Sequence, residues 1–161
     1  MIRALTCSSP AWICLCLALA ACASGHEGSE PQQQRADART LRAALAHDRS
    51  QGPLHDADNA VQDRRPVLAA ELIRNGGLPA IARARAAVAD ASTRTPEGNA
   101  ARSRLLAAYD EHTRTLDAYA HVLERGEVED IALLEAVHNE RVAQQNTDQA
   151  IEGVGRLEQA Q

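Results

Sequence analysis

Residues 95–126 read TPEGNAARSRLLAAYDEHTRTLDAYAHVLERG, and the fold follows from how this stretch is read. Thr95 supplies a capping hydroxyl, Pro96 suits the first helical position, and Glu97 sits near the positive end of the helix dipole. Leu105, Tyr109, His112, Leu116, Tyr119 and Leu123 then recur at spacings of 4, 3, 4, 3 and 4. That is a heptad seam, and a seam needs a partner helix. Arg125 precedes Gly126, and Glu127, Glu129 and Asp130 follow it. A basic helix end before a glycine and an acidic start after it predict a tight hairpin between helices over 96–125 and about 127–158. The alternative is one unbroken helix from 96 to about 158, reaching ~93 Å.

Earlier segments carry the same helical signature. Leu41, Ala44, Leu45 and Asp48 share a helical spacing over 35–49, and Gln51-Gly52-Pro53 is expected to stop that helix. A second pattern runs over 57–75, with Val61, Leu68 and Leu72 on one face and Asp56 or Asp58 available as a cap. In this reading His55-Asp56-Ala57-Asp58 is helix capping and loop, with a cation site as the alternative. Pro66 must kink or restart the helix, because its ring removes an N–H and crowds the preceding turn. Asn75-Gly76-Gly77 gives a break, and Pro79 opens a further helix to about 92 along Ile81, Ala84, Val88 and Ala91. The expectation is an all-α, slender antiparallel bundle. It has three long helices, one of them broken at Gly76-Gly77, plus a short N-terminal helix.

Composition limits what such a bundle can be. The chain has 161 residues, and its 17 basic residues are all arginine. It contains no lysine and no phenylalanine, and its tyrosines are Tyr109 and Tyr119. With 22 acidic residues and no basic block, it lacks the charge pattern of a nucleic-acid binder. All four cysteines, Cys7, Cys14, Cys16 and Cys22, fall in the first 22 residues, which excludes a disulfide scaffold.

Those first residues have their own logic. Arg3 is followed by an apolar stretch from Ala11 to Leu19, too short to span ~30 Å of hydrocarbon. It ends in Leu19-Ala20-Ala21-Cys22. This resembles the lipobox of bacterial lipoproteins. The resemblance implies cleavage between Ala21 and Cys22, with acyl chains on the sulfur and new amine of Cys22. Several chains on one residue anchor stably where a single chain does not. Residue 23 is Ala rather than Asp, which by the same resemblance sends the protein to the outer membrane, facing the periplasm. The expected organisation is a signal peptide over 1–21, a lipidated cysteine and flexible tether over 22–34, and a helical domain over 35–161. The mature 140 residues carry 16 arginines and 22 acids. They include 28 alanines, while Leu, Ile and Val total 25, so the core is expected to be thin.

One constellation carries chemistry. On the last helix Ile131, Leu134, His138 and Val142 form a stripe expected to face the seam. Folding about Gly126 brings His112, 14 residues before it, near the level of His138, 12 residues after it. Glu135 lies one turn before His138. His112, Glu135 and His138 are therefore metal-ligand candidates, since imidazole and carboxylate are ordinary zinc or iron ligands. Glu-x-x-His resembles half of the ferritin-like di-iron pattern, which needs a second such segment and two more glutamates. The competing and preferred reading is a polar layer that fixes helix register, with no metal. Arg83, Arg85, Arg102 and Arg104 read as a solvated face interleaved with acids, with lipid phosphate or the anionic cell wall as the alternative partner. No nucleophile elbow and no phosphate-binding glycine loop is present. The expected function is therefore non-enzymatic and without a cofactor. It is an interaction or structural module in the periplasm, held to the membrane through Cys22 and engaging an envelope protein. The alternative is a small-ligand or metal carrier using the polar layer between the last two helices.

Overall fold

A computed structural model describes residues 29–126 and 131–159. The leader, Cys22 and the tether up to residue 28 lie outside them. The elements are α1 (Glu30–Leu45), α2 (Gln51–Gln62), α3 (Pro66–Leu72), a π turn (Ile73–Gly77), α4 (Leu78–Asp90), α5 (Pro96–Glu124) and α6 (Ile131–Glu158). The fold is an all-α bundle, with no strand among the described residues. No helix among them is long and apolar enough to cross a membrane.

The hairpin of α5 and α6 is its spine. Thr95 caps α5 as expected, its side chain accepting from the Gly98 N–H at 3.0 Å. At the other end Gly126 takes φ +72° and donates its N–H to the Leu123 carbonyl. This left-handed residue after a helix is the position that favours glycine. The α5 seam is buried throughout, from Leu105 to Leu123. Ala101, Arg104 and Ala108 lie beside Ala150, Gly153 and Arg156, so the pair runs antiparallel.

The register of α6 differs from the expected one. Ile131, Leu134, Glu135, His138 and Val142 face solvent, and Leu133, Ala136, Ala143, Thr147 and Val154 are buried. The buried set, continued through Glu140 and Ala150, keeps a 3–4 spacing along the whole helix. The exposed set stops at Val142. Small and polar residues win the seam because a continuous stripe lets two long helices approach closely along their full length.

The remaining elements wrap this hairpin. α1 begins at Glu30, inside the segment expected to be tether, with Ser29 before it and Pro31 in its first turn. It ends at Leu45, and Gln51-Gly52-Pro53 opens α2 rather than ending α1. Pro53 fits there because the first turn of a helix leaves its N–H groups unpaired anyway. Asp48, not Asp56 or Asp58, organises this start: its Oδ1 accepts from the Ser50 N–H at 2.9 Å and the Ser50 hydroxyl at 2.6 Å.

The pattern over 57–75 is divided ahead of Pro66. Arg65 donates to Ala60 and Arg64 to Val61, closing a Schellman turn with Arg64 at φ 57°. Pro66 then starts α3. The interruption at Gly76-Gly77 takes the form of the π turn, so the chain from Pro66 to Asp90 stays helical. A Cβ on Gly76 would lie 2.6 Å from the Pro53 Cβ, and one on Gly77 would lie 2.8 Å from Leu54 Cδ2. The glycine pair therefore lets the start of α2 press against the π turn.

Ion pairs tie the outer faces. Arg74 bonds Asp117 at 2.7 Å and also Glu124, Arg85 pairs with Asp110, and Arg42 reaches Glu158 at 2.7 Å. The Asp110 carboxyl is held below its usual range by the Arg85 hydrogen bond, and Glu124 likewise by Arg74. Arg102 donates to the carbonyls of Val88 and Ala89 at the end of α4. Arg85 thus pairs with an acid on an exposed face, in keeping with the solvated-face reading, whereas Arg102 is part-buried and bonds backbone carbonyls instead. The core is alanine-rich as expected, with Leu41, Ile73, Ile81, Leu105, Tyr109, Leu116 and Leu123 as its large members.

Asp37 is the polar node of the fold. It sits on α1, 3 % exposed. Its carboxylate accepts from the Arg94 N–H at 3.0 and 3.1 Å, the Thr95 N–H at 2.8 Å and the Thr95 hydroxyl at 2.7 Å. It therefore holds the capping residue of α5. Gly98 packs so closely on it that any Cβ there would collide with the carboxylate.

Candidate functional site

His112 lies midway along α5 and is 4 % exposed. Its Nε2 is buried and has no hydrogen-bond partner. Glu140 of α6 places Oε1 3.5 Å away, beyond the ordinary length of such a bond. The pairing follows from the hairpin: His112 is 14 residues before Gly126, and Glu140 is 14 after it. Buried polar atoms are nearly always satisfied, so this unpaired nitrogen is the feature of the cleft that calls for a physical explanation.

The cleft has a volume of about 790 Å³. Its walls come from the α1–α2 connection, α2, α5 and α6, and the π turn contributes Ile73 to its floor. Such turns interrupt helices frequently at functional sites. Leu45, Leu54, Leu116 and Ile151 give it an apolar lining, and Tyr119 lies one heptad along α5 from His112. The polar rim holds Asp48, His55, Asp58, Glu140, Gln144 and Asp148, with Arg49 as its one arginine.

Two sides of this rim differ chemically. Around Asp48 everything is paired: Oδ2 accepts from the Tyr109 hydroxyl at 2.9 Å, and Oδ1 holds Ser50. Burial, and then the Asp48 charge, push the Tyr109 hydroxyl well above its ordinary pKa. Around Glu140 the carboxylates crowd instead. The Asp58 carboxyl is raised, first by burial and then by Glu140, with His55 and Arg141 opposing. Tyr119 is pushed up to about 12 by burial and then by the charges of Asp58 and Glu140.

Comparison with known protein families, curated proteins and solved structures finds no match to this chain. Its function is therefore argued from the site.

Of the proposed metal ligands, the structure brings only His112 into the interior. Glu135 and His138 sit on the opposite, exposed side of α6. Among the described residues, no group of three or more His, Cys, Asp or Glu is placed to hold a metal ion. His55 and Asp58 lie inside α2 and on the cleft wall, rather than in a capping loop. Glu140 and Asp48 are site residues that the sequence reading missed, and Asp58 enters it only as part of a cation site set aside for capping. Counting equal distances from Gly126 was the available signal for Glu140. Cys22 and Ala21 lie outside the described residues.

Proposed function

We propose that this chain is a lipid-anchored, non-enzymatic binding module of the bacterial envelope, whose helical bundle offers a small-molecule cleft beside the membrane. The anchoring rests on Leu19-Ala20-Ala21-Cys22, and Ala23 favours the outer membrane. The binding role rests on one observation: His112 Nε2, buried and unpartnered, on the wall of a cleft large enough for a small molecule. A merely structural polar layer would satisfy its own histidine.

Membrane fractionation and release of small molecules from the purified protein test this reading together. Cys22→Ala is expected to leave the membrane fraction, and protein isolated from membranes is expected to release one compound at near one per chain on unfolding. Unchanged fractionation of the variant would refute the anchor. Failure to release any compound, together with no response of His112 to added probes, would refute the cleft.

A second reading, docking to an envelope protein, is favoured by the α6 face. Ile131, Leu134 and Val142 are 73 %, 71 % and 41 % exposed along one side of a helix. Crosslinking the same membranes before solubilisation tests it, a discrete adduct being the expected result.

A further inference from the structure

Resting on the reading of the cleft as a ligand site, we infer that it takes a small primary ammonium compound with a short apolar body. The unpartnered atom sets the first requirement. In the tautomer with its proton on Nδ1, the His112 imidazole accepts at Nε2, and so does the Glu140 carboxylate 3.5 Å away. Two acceptors at that separation lack a shared donor. Nε2 is covered in this structure, so a small shift of the half-buried Glu140 side chain must open it before an ammonium nitrogen can give an N–H to each.

Charge sets the second requirement. Asp58 and Glu140 repel each other across the cleft. Neither forms an ion pair with an arginine among the described residues; Arg141 is near Asp58 and opposes the repulsion without pairing. A ligand cation relieves this crowding, whereas an anion adds to it. Glu140 is half-buried and Asp58 lies on the exposed rim, and a half-buried carboxylate is best tolerated where a partner of opposite charge completes it.

The ligand's body follows from the floor. Leu116 and Ile73 are apolar and the Tyr119 ring stands beside them. A divalent metal fits less well, because His112 and Glu140 supply two ligands where zinc sites use three or four, and the described residues place no third.

The test uses the full-length chain in detergent, with the His112 imidazole followed by NMR during titration with n-butylammonium, 1-butanol, butanoate and Zn²⁺ in turn. The expected result is a saturable shift with n-butylammonium and at least ~10-fold weaker responses to the other three. Glu140→Gln, which keeps shape and removes charge, is expected to weaken n-butylammonium at least ~10-fold. Asp58→Asn provides an independent variant, expected to weaken it by a smaller factor, and thermal melting confirms that each variant is folded. Equal or tighter binding of butanol, butanoate or Zn²⁺ would overturn the ammonium assignment while leaving the cleft a ligand site. Unchanged n-butylammonium binding in both folded variants would also overturn the assignment. No response of His112 to any probe would overturn the assignment too, and, with no compound released from the membrane-purified protein, the ligand cleft as well.

Discussion

Asp37→Ala is expected to lower the stability of the bundle by about 3 kcal/mol. The substitution strands two backbone N–H groups and the Thr95 hydroxyl, which all donate to this carboxylate. Hydrogen bonds to a charged group contribute about 1.5–3 kcal/mol, and stranded buried donors add a desolvation penalty. It also removes an acid beside the start of α5, where the helix dipole favours one. Asp37→Asn keeps one acceptor oxygen and should lose about half as much. Gly98→Ala reaches the same node from the other side. Its methyl group displaces a carboxylate fixed by several bonds, at a cost of roughly 2–3 kcal/mol. Because both substitutions break one arrangement, the double variant should lose clearly less than the sum. Urea unfolding of the four proteins measures this, and strict additivity would show that Gly98 and Asp37 are not coupled.

Alkaline unfolding gives the second large effect, and an unusual composition makes it readable. With no lysine in the chain, Tyr109 and Tyr119 are the side chains of the described region whose ordinary pKa lies between 9 and 12. Both are raised in the folded state, chiefly by burial. The unfolded chain therefore releases these protons near pH 10 while the folded chain holds them. The stability they contribute is fully present below the unfolded value of 10.0 and is lost as pH rises toward the folded values. Each tyrosine should remove about 1.4 kcal/mol per pH unit in that window. Urea midpoints measured from pH 9 to 12 are expected to fall steeply, by several kcal/mol in all. Tyr119→Phe should roughly halve the slope. Tyr109→Phe should halve it too, and should also lower stability at pH 7 by about 1–2 kcal/mol through loss of the bond to Asp48. A flat profile above pH 10 would contradict the burial of both rings.

These two effects sit on residues of unequal legibility. The α5 seam was readable because large apolar side chains occupy its heptad positions, and Thr95-Pro96 and Gly126 mark the helix ends by capping chemistry. The start of α1 carried a signal in Ser29-Glu30-Pro31 that the polar composition around it obscured. The α6 register was harder. Its buried stripe is built of alanine, glutamate and threonine, which hydropathy ranks below Ile131 and Leu134 on the exposed side. That error moved the candidate site by two residues, from His138 to Glu140. Asp37 left no local trace, because a lone aspartate on a polar helix becomes a node only when the loop before α5 folds onto it. The Asp48 network is hidden for the same reason, since Tyr109 meets Asp48 across 61 residues of chain.

The central claim is that His112 is kept unpartnered for a ligand rather than bonded for structure. Thermal melting of His112→Leu tests this most directly. Leucine is of similar size and has no polar atom to desolvate, so the folded state loses only an orphan. The account predicts a melting temperature equal to wild type or a few degrees higher, since ~1 kcal/mol shifts a chain of this size by about 3 °C. A loss of stability of about 2 kcal/mol or more would contradict it, because the histidine would then be part of a satisfied polar layer that fixes the register of α5 on α6.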